Sequence, residues 1–156
     1  MSNIFVSIAD QLLTFNSTKQ VITYPVSTAK LGPGEKKNSY CTPRGKHIIR
    51  AKIGTNALRG EIFKSRRSTG EVYLDSKKKE KTNDWILTRI LWLSGMELGR
   101  NRLGNVDTMQ RYIYIHGVPD DVPLNVPRSK GCINMNNDDV IELFDLVDIG
   151  TSVLIK

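Results

Sequence analysis

The sequence predicts a single, mainly-β domain carrying at least one helix, and three observations point there. Short runs rich in β-branched and aromatic residues recur along the chain, each bounded by Gly, Pro, Asn or Ser. Apolar residues fall at clear helical spacing once, close to the C-terminus. No repeat, low-complexity tract or linker composition divides the 156 residues, a length that buries a substantial core without disulfides or metals.

Taken in order, "NIFVSIADQLLTFN" and "KQVITYPVST" predict two strands joined by the polar turn "NST", so the chain opens on a hairpin. "TPRGKHIIRAKIG" places a turn at Pro43 and Gly45 before another strand, and "GEVYLD" repeats the pattern near Tyr73. "DWILTRILWLSG" has the length of a buried helix or strand. Its β-branched and aromatic content from Trp85 to Leu93, and its stop at Ser94 and Gly95, favour strand. "QRYIYIHG" is a further strand in which Tyr112, Ile113, Tyr114 and Ile115 run straight into His116. The helix begins near Asn136, with Asp139 completing a capping box and Val140, Ile141, Phe144 and Val147 at helical spacing. Gly150 is expected to stop it, and "TSVLIK" closes the fold as a last strand. The polar, basic segment Lys64 to Asn83, which contains Gly70, reads as a lid over a site or as an ordinary surface hairpin.

The charge balance is 23 basic against 16 acidic residues, a net +7, gathered around Lys36, at Lys64 to Arg67 and at Lys77 to Lys81. Such a surface attracts anionic partners, although a charge run is most often a solvated face. No zinc-finger spacing, helix-turn-helix signature or RNP-type aromatic motif accompanies it, so nucleic acid is not expected as a partner. The opening residues have no basic region followed by an apolar run and a small-residue cleavage site, and no apolar run reaches membrane length. The sequence as it stands therefore reads as cytoplasmic, with a periplasmic or envelope location as the alternative if a signal precedes it in the native chain. Two cysteines, Cys41 and Cys132, are expected to remain free thiols in a reducing compartment.

The stretch "SKGCINM" puts Cys132 directly after Gly131. A thiol becomes a nucleophile when a base or a positive environment ionises it, and His116 and Lys130 are the candidates to do so. Gly117 after His116 permits close backbone approach. Gly131 permits a sharp turn that aims backbone N–H groups at one spot, an oxyanion-hole arrangement contributing about 3 kcal/mol per donor. On residues alone, a working nucleophile and an inert buried cysteine beside a loop histidine both stand. Asp138 and Asp139 are accounted for by a helix N-terminus, so neither a metal nor another cofactor is expected. Tyr112, Tyr114, Trp85 and Trp92 read as core, and Cys41 as structural.

"IHG", a short loop, "RSKGCINM", a helix and a final "GTSVLI" resemble the L,D-transpeptidase catalytic domain, the YkuD family. The likeness extends through "VSIADQLLTF", "VITYPVSTAK" and "TPRGKHII" to the family's opening hairpin and Thr-Pro-x-Gly turn, nearly the whole chain. It implies a β-sandwich with a helix beside the site. It implies Cys132 as nucleophile, His116 as general base oriented by the Gly117 carbonyl, backbone N–H groups near Gly131 and Cys132 as oxyanion donors, and Ser129 and Asn134 shaping the pocket. Arg128 is a candidate for a substrate carboxylate. Lys130 departs from the family pattern, which has histidine there; its charge would favour a thiolate or hold a carboxylate. The substrates implied are peptidoglycan stem peptides or muropeptides, cut between the L-centre of diaminopimelate and terminal D-Ala. The leading reading is an L,D-carboxypeptidase of peptidoglycan recycling; the alternatives are an exported crosslinking transpeptidase and a catalytically silent muropeptide-binding module.

Overall fold

The computed structural model describes residues 1–74 and 84–156. The opening apolar stretch is not one strand but two: β1 (Asn3–Ser7) and β2 (Leu12–Asn16) pair antiparallel, and β3 (Val21–Ser27) then pairs with β2. Polar groups make the unforeseen reversal. Ser7 Oγ donates to Asp10 Oδ2 at 2.9 Å and accepts the Asp10 N–H at 3.1 Å. Gln11 takes φ +54° and is then buried, with its side chain bonded to Thr28.

The remaining elements are β4 (Gly45–Ile53), β5 (Glu61–Lys64), β6 (Arg67–Val72), β7 (Ile86–Gly95), β8 (Tyr114–Gly117), β9 (Ile133–Met135), α1 (Asn137–Leu146) and β10 (Ser152–Ile155). The fold is mainly β, as expected, and "DWILTRILWLSG" is indeed a strand. Its strands run in the order β4-β10-β1-β2-β3-β9-β8-β7-β5-β6, and β4 also pairs with β7. That extra pairing closes eight strands on themselves, which leaves them no free edge to template association. The β5–β6 hairpin stands outside the ring on β7. Bulges at Ile49/Ala51 and Leu87/Ile90 supply curvature for closure.

Alternation along the strands sends one set of residues inward. Ile4 and Val6, Leu13 and Phe15, Leu91 and Leu93, Ile113 and Ile115, and Ile133 and Met135 share one core with Val140, Leu143 and Phe144 of α1. The Asn136 side chain caps α1 by accepting the Asp138 N–H at 2.9 Å. Asp138 in turn pairs with Arg59 at 2.7 Å. Gly150 does not stop the helix. It ends at Leu146 because Val147 turns extended to bury its side chain, its carbonyl accepting from Lys52 Nζ at 2.7 Å; Gly150, at φ +95°, shapes the turn into β10.

β8 starts at Tyr114 rather than earlier, because Asp107 holds the preceding turn by accepting the N–H groups of Leu103 and Gln110 at 2.7 and 2.8 Å. Of the segment Lys64 to Asn83, residues up to 74 carry the hairpin turn and β6; the rest, with the whole basic run from Lys77 to Lys81, lies outside the described residues. No helix among the described residues is long and apolar enough to cross a membrane.

Candidate active site

The site is a consequence of one strand pairing. β8 and β9 lie parallel, with Ile115 opposite Ile133 and His116 opposite Asn134. Because side chains alternate, the isoleucines enter the core while Tyr114, His116, Cys132 and Asn134 share the other face. Residues sixteen and eighteen apart in sequence thereby become neighbours. Cys132 packs there beside a second apolar cluster of Phe63, Ile90 and Tyr114, bordered by Trp92.

The Cys132 thiol is a neutral resting group. Its Sγ accepts the Tyr114 N–H and donates to the Tyr112 carbonyl, both at 3.4 Å. Burial pushes the thiol up to about 12, against the lowering influence of the Tyr114 N–H and the Arg111 charge. His116 is fully buried, with Nδ1 2.8 Å from the Gly117 carbonyl. A carbonyl only accepts, so Nδ1 carries the proton and Nε2 presents its lone pair. Burial lowers the imidazole pKa and keeps it neutral. Nε2 faces Asn134 Nδ2 at 3.4 Å, and Arg128 fixes that amide by donating to Asn134 Oδ1 at 2.6 Å. Among the described residues no hydrogen bond joins the Cys132 sulfur to His116.

Gly117 has no room for a side chain: a Cβ would collide with Asn137 Oδ1 and come within 2.7 Å of the Leu87 carbonyl. Asn137 is itself held by Thr88, whose hydroxyl donates to Asn137 Oδ1 at 2.6 Å, and by the Val118 carbonyl. The backbone carrying the His116 acceptor is thus wedged from both sides.

The turn before Cys132 is equally constrained. Gly131 sits at φ +129°, a conformation that favours glycine, and its N–H donates to Ser129 Oγ at 3.1 Å. Ser129 also donates to the Cys132 carbonyl, and its N–H reaches the Thr28 carbonyl. Buried Thr42 donates to the Gly131 carbonyl and accepts the Ala29 N–H, both at 2.9 Å. The Gly131 N–H, expected as an oxyanion donor, is therefore already occupied by Ser129. Neither the Lys130 N–H nor the Cys132 N–H is engaged by an acceptor among the described residues, and the Cys132 N–H is the one carried by the nucleophile itself.

The structure brings Cys132, His116, Gly117, Gly131, Ser129, Arg128 and Asn134 together. Lys130 is exposed beside the turn and lines a surface notch. Sequence reasoning missed Thr42, although the quoted Thr-Pro-x-Gly turn contains it. It also took four aromatics for core, whereas only Tyr114 of them is buried and Tyr112 is 53% exposed. Arg66, at the β5–β6 turn, lies 5.0 Å from the Trp92 ring and 4.7 Å from the Tyr112 ring, and donates to Tyr114 Oη at 3.1 Å. The hairpin tip is so pinned beside the cysteine. Cys41 remains a free thiol near the Leu31 and Ser39 carbonyls. His47 is buried elsewhere, between Gly45 O and Thr108 Oγ1.

Chemically, a thiol, a neutral imidazole two strand positions away whose Nε2 lone pair is held only by the Asn134 amide, and an open backbone N–H are the parts of nucleophilic acyl transfer. The family model for the L,D-transpeptidase catalytic domain, YkuD, matches residues 2–155. Among solved structures, the chain is similar to an L,D-transpeptidase from Mycobacterium smegmatis, at 19% identity and TM-score 0.56, covering 99% of this chain and 58% of that one. L,D-transpeptidase 3 from Mycobacterium tuberculosis shares 16% identity at TM-score 0.58, covering 99% and 60%. Bd1075 of Bdellovibrio bacteriovorus shares 19% at TM-score 0.59, covering 99% and 47%. The chain thus spans less than two thirds of these relatives' length, and the likeness at such identities concerns the fold. No curated protein matches by sequence.

Proposed function

The chain belongs to the L,D-transpeptidase catalytic domain family, and from that premise we propose a cysteine enzyme acting on peptidoglycan stem peptides, in the first place as an L,D-carboxypeptidase. The observation that carries the reading is the shared face of β8 and β9, where Cys132 and a neutral His116 with its lone pair on Nε2 lie side by side. The Cys132 sulfur turns from Tyr112 toward His116, Asn134 yields Nε2, and the imidazole takes the thiol proton. The thiolate adds to the carbonyl carbon of the diaminopimelate–D-Ala bond, and the Cys132 N–H holds the oxyanion. The intermediate expels D-Ala, whose amine takes the proton from His116, leaving a thioester. A water then gives its proton to His116 and attacks the thioester; the proton returns to sulfur as the tripeptide departs.

An amine of a second stem peptide in place of that water makes the same enzyme a crosslinking transpeptidase of the envelope. With water, the substrate is a free anionic muropeptide of the cytoplasm, which a net charge of +7 attracts. A second reading, a muropeptide-binding module without turnover, draws on the resting thiol, which hydrogen-bonds to Tyr112 rather than His116.

Mass spectrometry on a tetrapeptide ending in diaminopimelate and D-Ala separates these readings, with Cys132→Ala alongside. Loss of one D-Ala in the wild type alone supports the carboxypeptidase. Dimers or D-amino-acid exchange support the transpeptidase, and no turnover in either protein leaves the binding module.

A further inference from the structure

A notch of about 210 Å³ opens next to the turn that carries the nucleophile, with Lys130 and Tyr112 in its wall. Its walls include Lys37, Tyr40, Gln110, Arg111, Tyr112 and Lys130, with no carboxylate among the lining residues. Three cations around one small concavity repel each other unless an anion joins them. Lys37 and Lys130 are exposed and free to swing toward a guest. Arg111 is the fixed member: its guanidinium donates to the Gly34, Glu35 and Cys41 carbonyls and to Ser39 Oγ, between 2.7 and 3.3 Å. Those acceptors are neutral, and the Glu35 carboxylate, whose charge also acts on Arg111, is itself paired with Arg44.

The notch is contiguous with the reacting sulfur. Tyr112, in its wall, accepts the Cys132 S–H at 3.4 Å, and Ile113 touches the Gly131 position. Lys130 is two residues before Cys132 in the same turn.

We propose that this notch is the subsite for the free C-terminal carboxylate of the peptide being cut, held by Lys37 and Lys130 against the fixed charge of Arg111. The proposal rests on the peptide-cleaving reading above and specifies it. When a single terminal residue is released, its carboxylate lies only about 4 Å of chain beyond the scissile carbonyl. A cationic pocket serving that group must therefore adjoin the nucleophile, as this one does. The site is then selective for exposed chain ends over internal peptide bonds, which lack the charge, and the restriction comes from electrostatics rather than from a closed wall.

The test has two arms, each run on the wild type and on Lys37→Gln/Lys130→Gln, two surface changes that leave the core untouched. The first compares the tetrapeptide ending in D-Ala with the same peptide ending in D-Ala carboxamide. The wild type is expected to prefer the free acid by about tenfold or more in kcat/KM, and the double variant to lose most of that preference through a higher KM for the acid. Equal turnover of acid and amide by the wild type, or a preference surviving in the variant, overturns the subsite.

The second arm needs no turnover, so it judges the notch even if neither peptide is cut and the functional reading falls. Cys132 is alkylated at pH 9 with iodoacetate and with iodoacetamide, and the rate ratio is referred to that of N-acetylcysteine. A wild-type ratio above the reference that drops about threefold or more in the variant supports a carboxylate site at the sulfur. A ratio equal to the reference, or the same in both proteins, overturns it.

Discussion

The resting thiol makes a prediction that geometry alone would not. Burial raises Cys132 from 9.0 to about 12, so at any pH below that range the thiolate fraction is about a thousandfold smaller than for an ordinary cysteine. A more basic thiolate is also the better nucleophile. With a Brønsted coefficient of about 0.45, three units return roughly a factor of twenty, so exchange with a small aromatic disulfide should run about fiftyfold below a free thiol at pH 8. The assay follows release of the chromophoric thiol from pH 7 to 10.5 in the Cys41→Ser background. The logarithm of the rate should climb with unit slope across the whole range. His116→Gln should leave that profile in place, since the sulfur bonds to Tyr112 and Tyr114 instead. A plateau with an apparent pKa below about 8.5, abolished by His116→Gln, would refute the reasoning: the proton would already be shared with the imidazole before any substrate arrives.

Three further outcomes follow from the same structure. Gly117→Ala forces a methyl against Asn137 and the Leu87 carbonyl, and urea unfolding should show a loss of about 1–3 kcal/mol, with activity lost beyond the unfolded fraction because the His116 acceptor shifts. Thr42→Val keeps the shape but strands the Gly131 carbonyl and the Ala29 N–H; about 1–3 kcal/mol of stability should go, and Thr42→Ser should restore it, which equal stability of the Val and Ser variants would contradict. His47 is buried with its pKa lowered to about 4, so the unfolded chain protonates first as pH falls. Its contribution is complete above pH 6.5 and is lost on descending to about 4, amounting to about 3 kcal/mol. Unfolding free energies of His47→Gln between pH 7 and 4 should fall less steeply than the wild type's by that amount, and parallel curves would exclude the residue as the cause.

Local signals carried much of this protein. β-branched runs ended by Gly or Pro marked the strands, and Asn136 marked the helix start, because those preferences act within a few residues. They failed where a distant partner outweighs the local preference. Ser7 and Asp10 turn the chain inside an unbroken apolar-looking run, and Val147 leaves the helix for a core it cannot see in sequence. Arg66 and Tyr112 looked like a surface charge and a core aromatic until the hairpin tip was folded against β7 and β8.

By itself the sequence determined the chemistry on offer: a cysteine after a glycine turn, a histidine before a glycine, and a motif specific enough to name the family. Only the tertiary structure decided how those groups stand. The parallel pairing of β8 with β9 puts His116 and Cys132 on one face, and Thr42 from a remote turn takes hold of the Gly131 carbonyl. The closed ring gathers Lys37, Arg111 and Lys130 round one notch. Register and closure are set by contacts between residues far apart in the chain, and no window of sequence contains both partners of such a contact.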